Sequence, residues 1–116
     1  MRINLPFPNP KLSPNRKNGK HWTSTLSIKQ SSKELAKALT RPTFDLPEHI
    51  PLSVIFNPPD KRHRDLDNLL ASCKPYIDGI AEGLGVNDKR FRPILIDYSS
   101  EYNNSVDFYI GELKWK

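Results

Sequence analysis

One cysteine, Cys73, stands in the whole 116-residue chain. An internal disulfide needs two cysteines and a cysteine-based zinc site needs more, so both are excluded, and a reducing, cytoplasmic setting is expected. Long apolar runs are lacking too. No stretch approaches the roughly 18–20 apolar residues that a membrane-spanning helix requires. The opening MRINLPFPNP has none of the apolar character of a secretory signal. The five glycines form no GxGxxG or Walker loop, and neither GxSxG nor HExxH occurs. Phosphate-cradling loops, the hydrolase elbow and the zinc-protease helix are thereby set aside. Acid is scarce in one region only. Residues 1–41 hold nine Lys or Arg against the single acid Glu34, a balance of +8, whereas residues 42–116 hold nine against twelve, a balance of −3.

This length bounds the chain to a single domain, 1–116, with one modest core. Hydrophobic residues make up 36% and mean hydropathy is −0.64, polar for a globular domain but above the range of disordered chains. The basic N-terminal third attracts phosphate backbones through counterion release, although a lysine-rich soluble surface is the plainer reading of the same charge.

The pattern along the chain predicts an α/β (α+β) domain in the order β-α-β-α-β-β with a mixed sheet. RINLPF (2–7) reads as a short strand. Residues 8–22, rich in Pro, Asn and cations, read as a flexible basic loop. Ser31 to Glu34 form a capping-box pattern for a helix whose apolar stripe is Leu35, Ala38 and Leu39, and which stops near Thr40–Arg41 ahead of Pro42. LSVIFN (52–57) reads as a buried strand. One helix is expected from about Asp67 to Glu82, kinked by Pro75 and ended by Gly83 and Gly85. Two alternating segments, 93–100 and 105–113, flank Asn103–Asn104 as a hairpin would.

The stretch KRHRDLDNLL (61–70) concentrates the chemistry. Asp65 and Asp67 sit where strand gives way to helix. In extended backbone, residues i and i+2 point to one side, about 6–7 Å apart, so the two carboxylates can converge on a hard cation that selects oxygen ligands. Asp67 can equally be a helix N-cap. Asp88, in GVNDKR, joins them only if the chain doubles back, and is otherwise part of a turn. Lys74, seven positions after Asp67, shares its helical face and can stabilise charge on a metal-bound phosphate, or simply pair with Asp78 at i,i+4. Metal-assisted hydrolysis of a phosphodiester is the reaction such a set supports.

RDLDNLL (64–70), KPYIDGI (74–80) and GVND (85–88), with the opening NLPFPNPKLSPNRKNGKHW, resemble the RusA-type Holliday-junction resolvases. The resemblance covers most of the chain. It implies a RusA-like fold, a homodimer, and Mg²⁺-dependent cutting of four-way DNA by symmetric paired nicks in recombination and repair, with Mn²⁺ as a substitute ion, inside a bacterial or phage-infected cell. Asp65, Asp67 and Asp88 match the three metal-binding aspartates of that family. Lys74 matches its essential lysine when alignment is anchored on Lys74 and Asp78, while counting from the aspartates puts Ala71 there. Lys61, Arg62 and Arg64 match its DNA-contacting stretch, and Arg16, Lys17 and Lys20 its basic loop. The alternative, from a different class, is a non-catalytic nucleic-acid-binding module in which the basic residues bind and the acids cap and pair.

Overall fold

The computed structural model describes residues 1–13, 22–41 and 45–114. Among these residues, four strands and three helices follow in chain order: β1 (Arg2–Pro6), α1 (Trp22–Leu39), β2 (Ile50–Asn57), α2 (Leu66–Ser72), α3 (Lys74–Leu84), β3 (Phe91–Tyr98) and β4 (Ser105–Ile110). Short 3-10 turns occupy Pro10–Leu12 and Asp88–Arg90. The sheet order is β1-β4-β2-β3. β4 runs antiparallel to both β1 and β2, while β2 and β3 are parallel, so the sheet is mixed and the domain is α+β.

Period-two patterning decides the sheet's two faces. Ile3 and Leu5 of β1, Leu52, Val54 and Phe56 of β2, and Val106, Phe108 and Ile110 of β4 are all buried in one core cluster with Tyr76, Ile77 and Ile80 of α3. The Tyr76 and Phe108 rings meet edge to face, 6.0 Å apart at 85°. The opposite face carries Asn4, Ser53, Asn57, Ser105 and Asp107, of which all but Asn4 are buried. The C-terminal segment ties to this face: Ser53 Oγ donates to the Glu112 carbonyl (2.9 Å) and accepts from the Lys114 amide (2.7 Å).

Four expectations are corrected here. The first is the hairpin: β3 and β4 are not neighbours, because β2 lies between them. β4 is almost wholly buried, as a central strand must be. β3 contains Pro93, which cannot donate to a ladder and belongs at an edge, and its residues 92–94 are exposed. Asn104 does adopt the expected positive φ, 58°. Second, the expected single helix is two. Cys73 closes α2 and caps α3, and Pro75 falls in the first turn of α3, where its missing N–H costs nothing. Gly85 (φ 74°) ends α3, whereas Gly83 is inside it. Third, α1 starts at Trp22 and runs through the supposed capping box, where Ser31 Oγ instead donates back to the Ile28 carbonyl at 3.1 Å.

The fourth correction concerns the α1 stripe. Leu35 and Leu39 remain 39% and 47% exposed, and Ala36 and Thr40 face inward instead. The reason lies on α3. A Cβ built at Gly79 would sit 2.2 Å from the Lys33 carbonyl oxygen, and one at Gly83 would sit 2.7 Å from Thr40 Cβ. Two helices that close admit only small side chains between them, so Ala36 wins the seam over the leucines. This packing fixes α3, and with it the start of the candidate site.

Candidate active site and nucleic-acid interface

β2 ends at Asn57, and the chain leaves the sheet through Pro58–Pro59 into a turn built by Arg64. The Arg64 guanidinium pairs with Asp60 Oδ1 (3.0 Å), donates to the carbonyls of Arg62 (2.9 Å) and Asp60 (3.3 Å), and lies over the Phe7 ring 5.5 Å from its centroid. Only 13% of its side chain is exposed. Tyr98, at the end of β3, donates its hydroxyl to the Arg64 carbonyl. Asp60 Oδ1 also accepts from the Arg62 amide at 2.9 Å. That amide, helped by the Arg64 guanidinium, holds the Asp60 carboxyl below its ordinary value. Arg64 therefore clamps the turn, whereas Lys61, Arg62 and His63 are exposed. Arg16, Lys17 and Lys20 lie outside the described residues.

Asp65 has extended backbone (φ −82°, ψ 130°) and occupies the N-cap position of α2, but its side chain makes no capping bond. Its carboxylate meets His63 Nε2 at 3.1 Å and Asn68 Nδ2 at 3.4 Å. Asp67 is already in the helical first turn. The same-side relation of two residues in a strand is thus lost between them, and Asp65 and Asp67 line separate cavities rather than one.

Asp88 does return. The chain turns at Gly85 and runs back along α3, and the Asp88 carboxylate forms an ion pair with Lys74 Nζ, fourteen residues earlier. Asn87 shapes this approach by accepting the Lys89 amide on its side-chain oxygen at 2.9 Å. Lys74 Nζ also donates to Asp78 Oδ1 at 2.8 Å. The i,i+4 pair and the long-range pair therefore coexist on one ammonium. Its pKa is raised, first by Asp78 and then by Asp88, and Asp88 is held below its ordinary value chiefly by Lys74.

Asp67, Lys74 and Asp88 line a single cavity of about 500 Å³ with Leu70, Ala71, Ile77 and Ile94. The shared face of Asp67 and Lys74 survives the break at Cys73. Ala71, the other position at which a lysine could align, lines the same cavity but carries no charge. Among the described residues, no group of three or more His, Cys, Asp or Glu side chains is gathered closely enough to hold one ion. The structure thus brings together two of the three aspartates with the lysine, and sets Asp65 on a separate groove.

Two features of this region escaped the sequence reading. One is the polar network on the helix-free face. Asp107, 7% exposed, accepts from Asn4 Nδ2 (2.8 Å), Asn57 Nδ2 (3.0 Å) and Arg2 Nε (3.1 Å). Ser105 Oγ accepts from both asparagines. Alternation within β1, β2 and β4 does put these polar residues on one face, but sequence cannot tell that strand order aligns them. The other is a groove of about 730 Å³ between the Pro6–Pro10 turn, α1 and α2, with Asp65 on its wall.

No helix among the described residues is long and apolar enough to cross a membrane. No family model matches the chain. A protein of Xylella fastidiosa (strain Temecula1), described only as an uncharacterized protein, is 36% identical over 103 residues, which cover 82% of this chain and 66% of that protein. The chain thus spans just under two thirds of the length of the relative it matches.

Proposed function

We propose that this protein is a Mg²⁺-dependent endodeoxyribonuclease that resolves four-way DNA junctions by paired nicks. The observation that carries the reading is the return of Asp88 to Lys74 in the cavity that Asp67 lines. Nothing about a merely soluble surface asks a carboxylate to travel back fourteen residues to a lysine beside another carboxylate.

The donor chemistry fits magnesium. Asp67 and Asp88 offer oxygen only, and Mg²⁺ is commonly held by one or two carboxylates together with waters and substrate phosphate oxygens. When bound, the ion would neutralise the phosphodiester and activate a water. Asp67 and Asp88 would hold it, and Asp65, one groove away, would need to swing from His63 to join them. Lys74 is kept protonated by its acidic neighbours, and so can stabilise developing charge on the phosphate or protonate the leaving oxygen. Asp78 positions that ammonium from the next turn of α3. Exposed Lys61 and Arg62, with Arg16, Lys17 and Lys20, neutralise flanking phosphates, so binding weakens steeply with salt. Two symmetric nicks call for two such sites related by a two-fold axis, hence a homodimer, acting in the cytoplasm where DNA is.

Incubation with a synthetic four-way junction and Mg²⁺ or Mn²⁺ tests the proposal; paired nicks across the crossover are expected, and an intact junction under both ions overturns it. A non-catalytic nucleic-acid-binding module is favoured by one observation: the acids are already partnered, Asp65 by His63 and Asp88 by Lys74. Calorimetry separates the two, since the module takes up neither ion.

A further inference from the structure

The groove beside the candidate site has a composition that the cutting chemistry does not use. Half-buried Phe7 and Ile28 form its accessible apolar surface, backed by buried Leu69 and Tyr76, and Ser32 and Asn68 face it from opposite helices. The Ser32 hydroxyl makes no hydrogen bond within the described residues. The mouth carries exposed Arg62 and His63, with the Arg64 clamp behind them. Apolar walls with a few polar groups and one cationic edge suit a flat heteroaromatic ring linked to an anion. A volume of about 730 Å³ is ample for that: small-ligand pockets run from roughly 300 to 1,000 Å³.

We infer that this groove seats one unpaired nucleotide of the DNA substrate, its base against Phe7 and Ile28 and its phosphate at Arg62 and His63. The inference rests on the nuclease reading and deepens it. Asp65 lines this groove and Asp67, two residues on, lines the cavity on another face of α2, so a strand crossing the start of α2 spans both. A phosphate held by Asp67, Lys74 and Asp88 then has its neighbouring nucleotide at the groove. Branch points supply unstacked bases there and regular duplex does not, so the groove selects structure rather than sequence. Stacking against aromatic and apolar side chains tolerates any base.

The test is an abasic scan. Junctions with a single abasic residue at successive positions near the crossover are bound to the protein in EDTA, where no cutting occurs, and affinity is read by fluorescence anisotropy. The wild type loses at least about fivefold in affinity at one position per arm, the lower end of what a stacked base contributes, and loses little elsewhere. The Ser32→Trp variant, which fills the groove from α1, binds every junction alike and near the weakened level. Folding of that variant is checked by circular dichroism, and the wild-type scan stands without it. A flat wild-type scan, or position-dependent loss retained in folded Ser32→Trp, overturns the groove. Such a result alongside normal Mg²⁺-dependent cutting leaves the nuclease reading intact, whereas failure to bind any junction removes both.

Discussion

Gly79→Ala tests the helix seam that holds Lys74 in position. Two effects oppose each other. Alanine is the better helix former and would add about 1 kcal/mol at an interior helical position. Against this, its Cβ would meet the Lys33 carbonyl oxygen at 2.2 Å and Ala36 Cβ at 3.0 Å. An ordinary contact of 3.4 Å needs about 1.2 Å of extra separation, and a backbone oxygen cannot rotate out of the way. Opening a gap of even 0.5–1 Å forfeits roughly a quarter to a half of each dispersion contact it spans. Ala36, fully buried, lines that seam. Overpacking of this kind costs about 1–3 kcal/mol, and an unyielding partner argues for the upper end. The net expectation is a loss of about 2 kcal/mol, which at about 2.1 cal/mol/K per residue lowers Tm by about 8 °C. Thermal and urea melts read it. Gly85→Ala is the contrast: nothing lies within 4 Å of its Cβ but φ is +74°, so it loses about 1–2 kcal/mol from backbone strain alone. A Gly79→Ala protein as stable as wild type, or more so, would show that propensity outweighs crowding and that α1 and α3 do not approach this closely.

Three further outcomes follow from particular side chains. Tyr76, 5% exposed, donates its hydroxyl to the Pro6 carbonyl at 2.9 Å, and burial pushes its pKa up to about 12. Because the folded form holds that proton more tightly than the unfolded one, this contribution is whole below pH about 10 and lost at up to about 1.4 kcal/mol per pH unit towards 12; the stability gap between wild type and Tyr76→Phe should therefore shrink over that range, and a constant gap refutes it. Asp107→Ala removes the acceptor of the Asn4, Asn57 and Arg2 donors and should cost about 2–3 kcal/mol in urea unfolding, a loss under about 0.5 kcal/mol meaning that the network is solvated. Lys74→Met should slow single-turnover junction cutting by at least about a hundredfold while Tm barely moves, because exposed ion pairs contribute only about 0.2–1 kcal/mol; an equal fall in stability would make the lysine structural.

The strands were largely legible. Residues such as Ile3 and Leu5, or Val106, Phe108 and Ile110, alternate as half-buried strands must, and the β-branched run before Pro58 was plainly interior. Strand order was not legible, since insertion of β4 between β1 and β2 depends on contacts remote in sequence; the Asn103–Asn104 turn looks the same whether or not its flanking strands pair. The inward face of α1 is not legible in its own segment because its determinant sits on another helix: Gly79 and Gly83 dictate Ala36 and Thr40, and no window around residue 36 contains that information. In the site, RDLDN and Lys74 could be singled out from spacing. Asp88's return across α3 could not, nor could the separation of Asp65 from Asp67, which follows from α2 starting between them.

Single-turnover cutting of a four-way junction by wild type and by Asp88→Asn, with junction binding measured in parallel, bears most directly on the claim that Asp67, Lys74 and Asp88 form a hydrolytic site. Wild type should nick paired strands in Mg²⁺, and Asp88→Asn should bind at least as tightly, having shed a repulsive charge, yet leave the junction whole. Equal cutting by both proteins, or none by folded wild type in either Mg²⁺ or Mn²⁺, contradicts it.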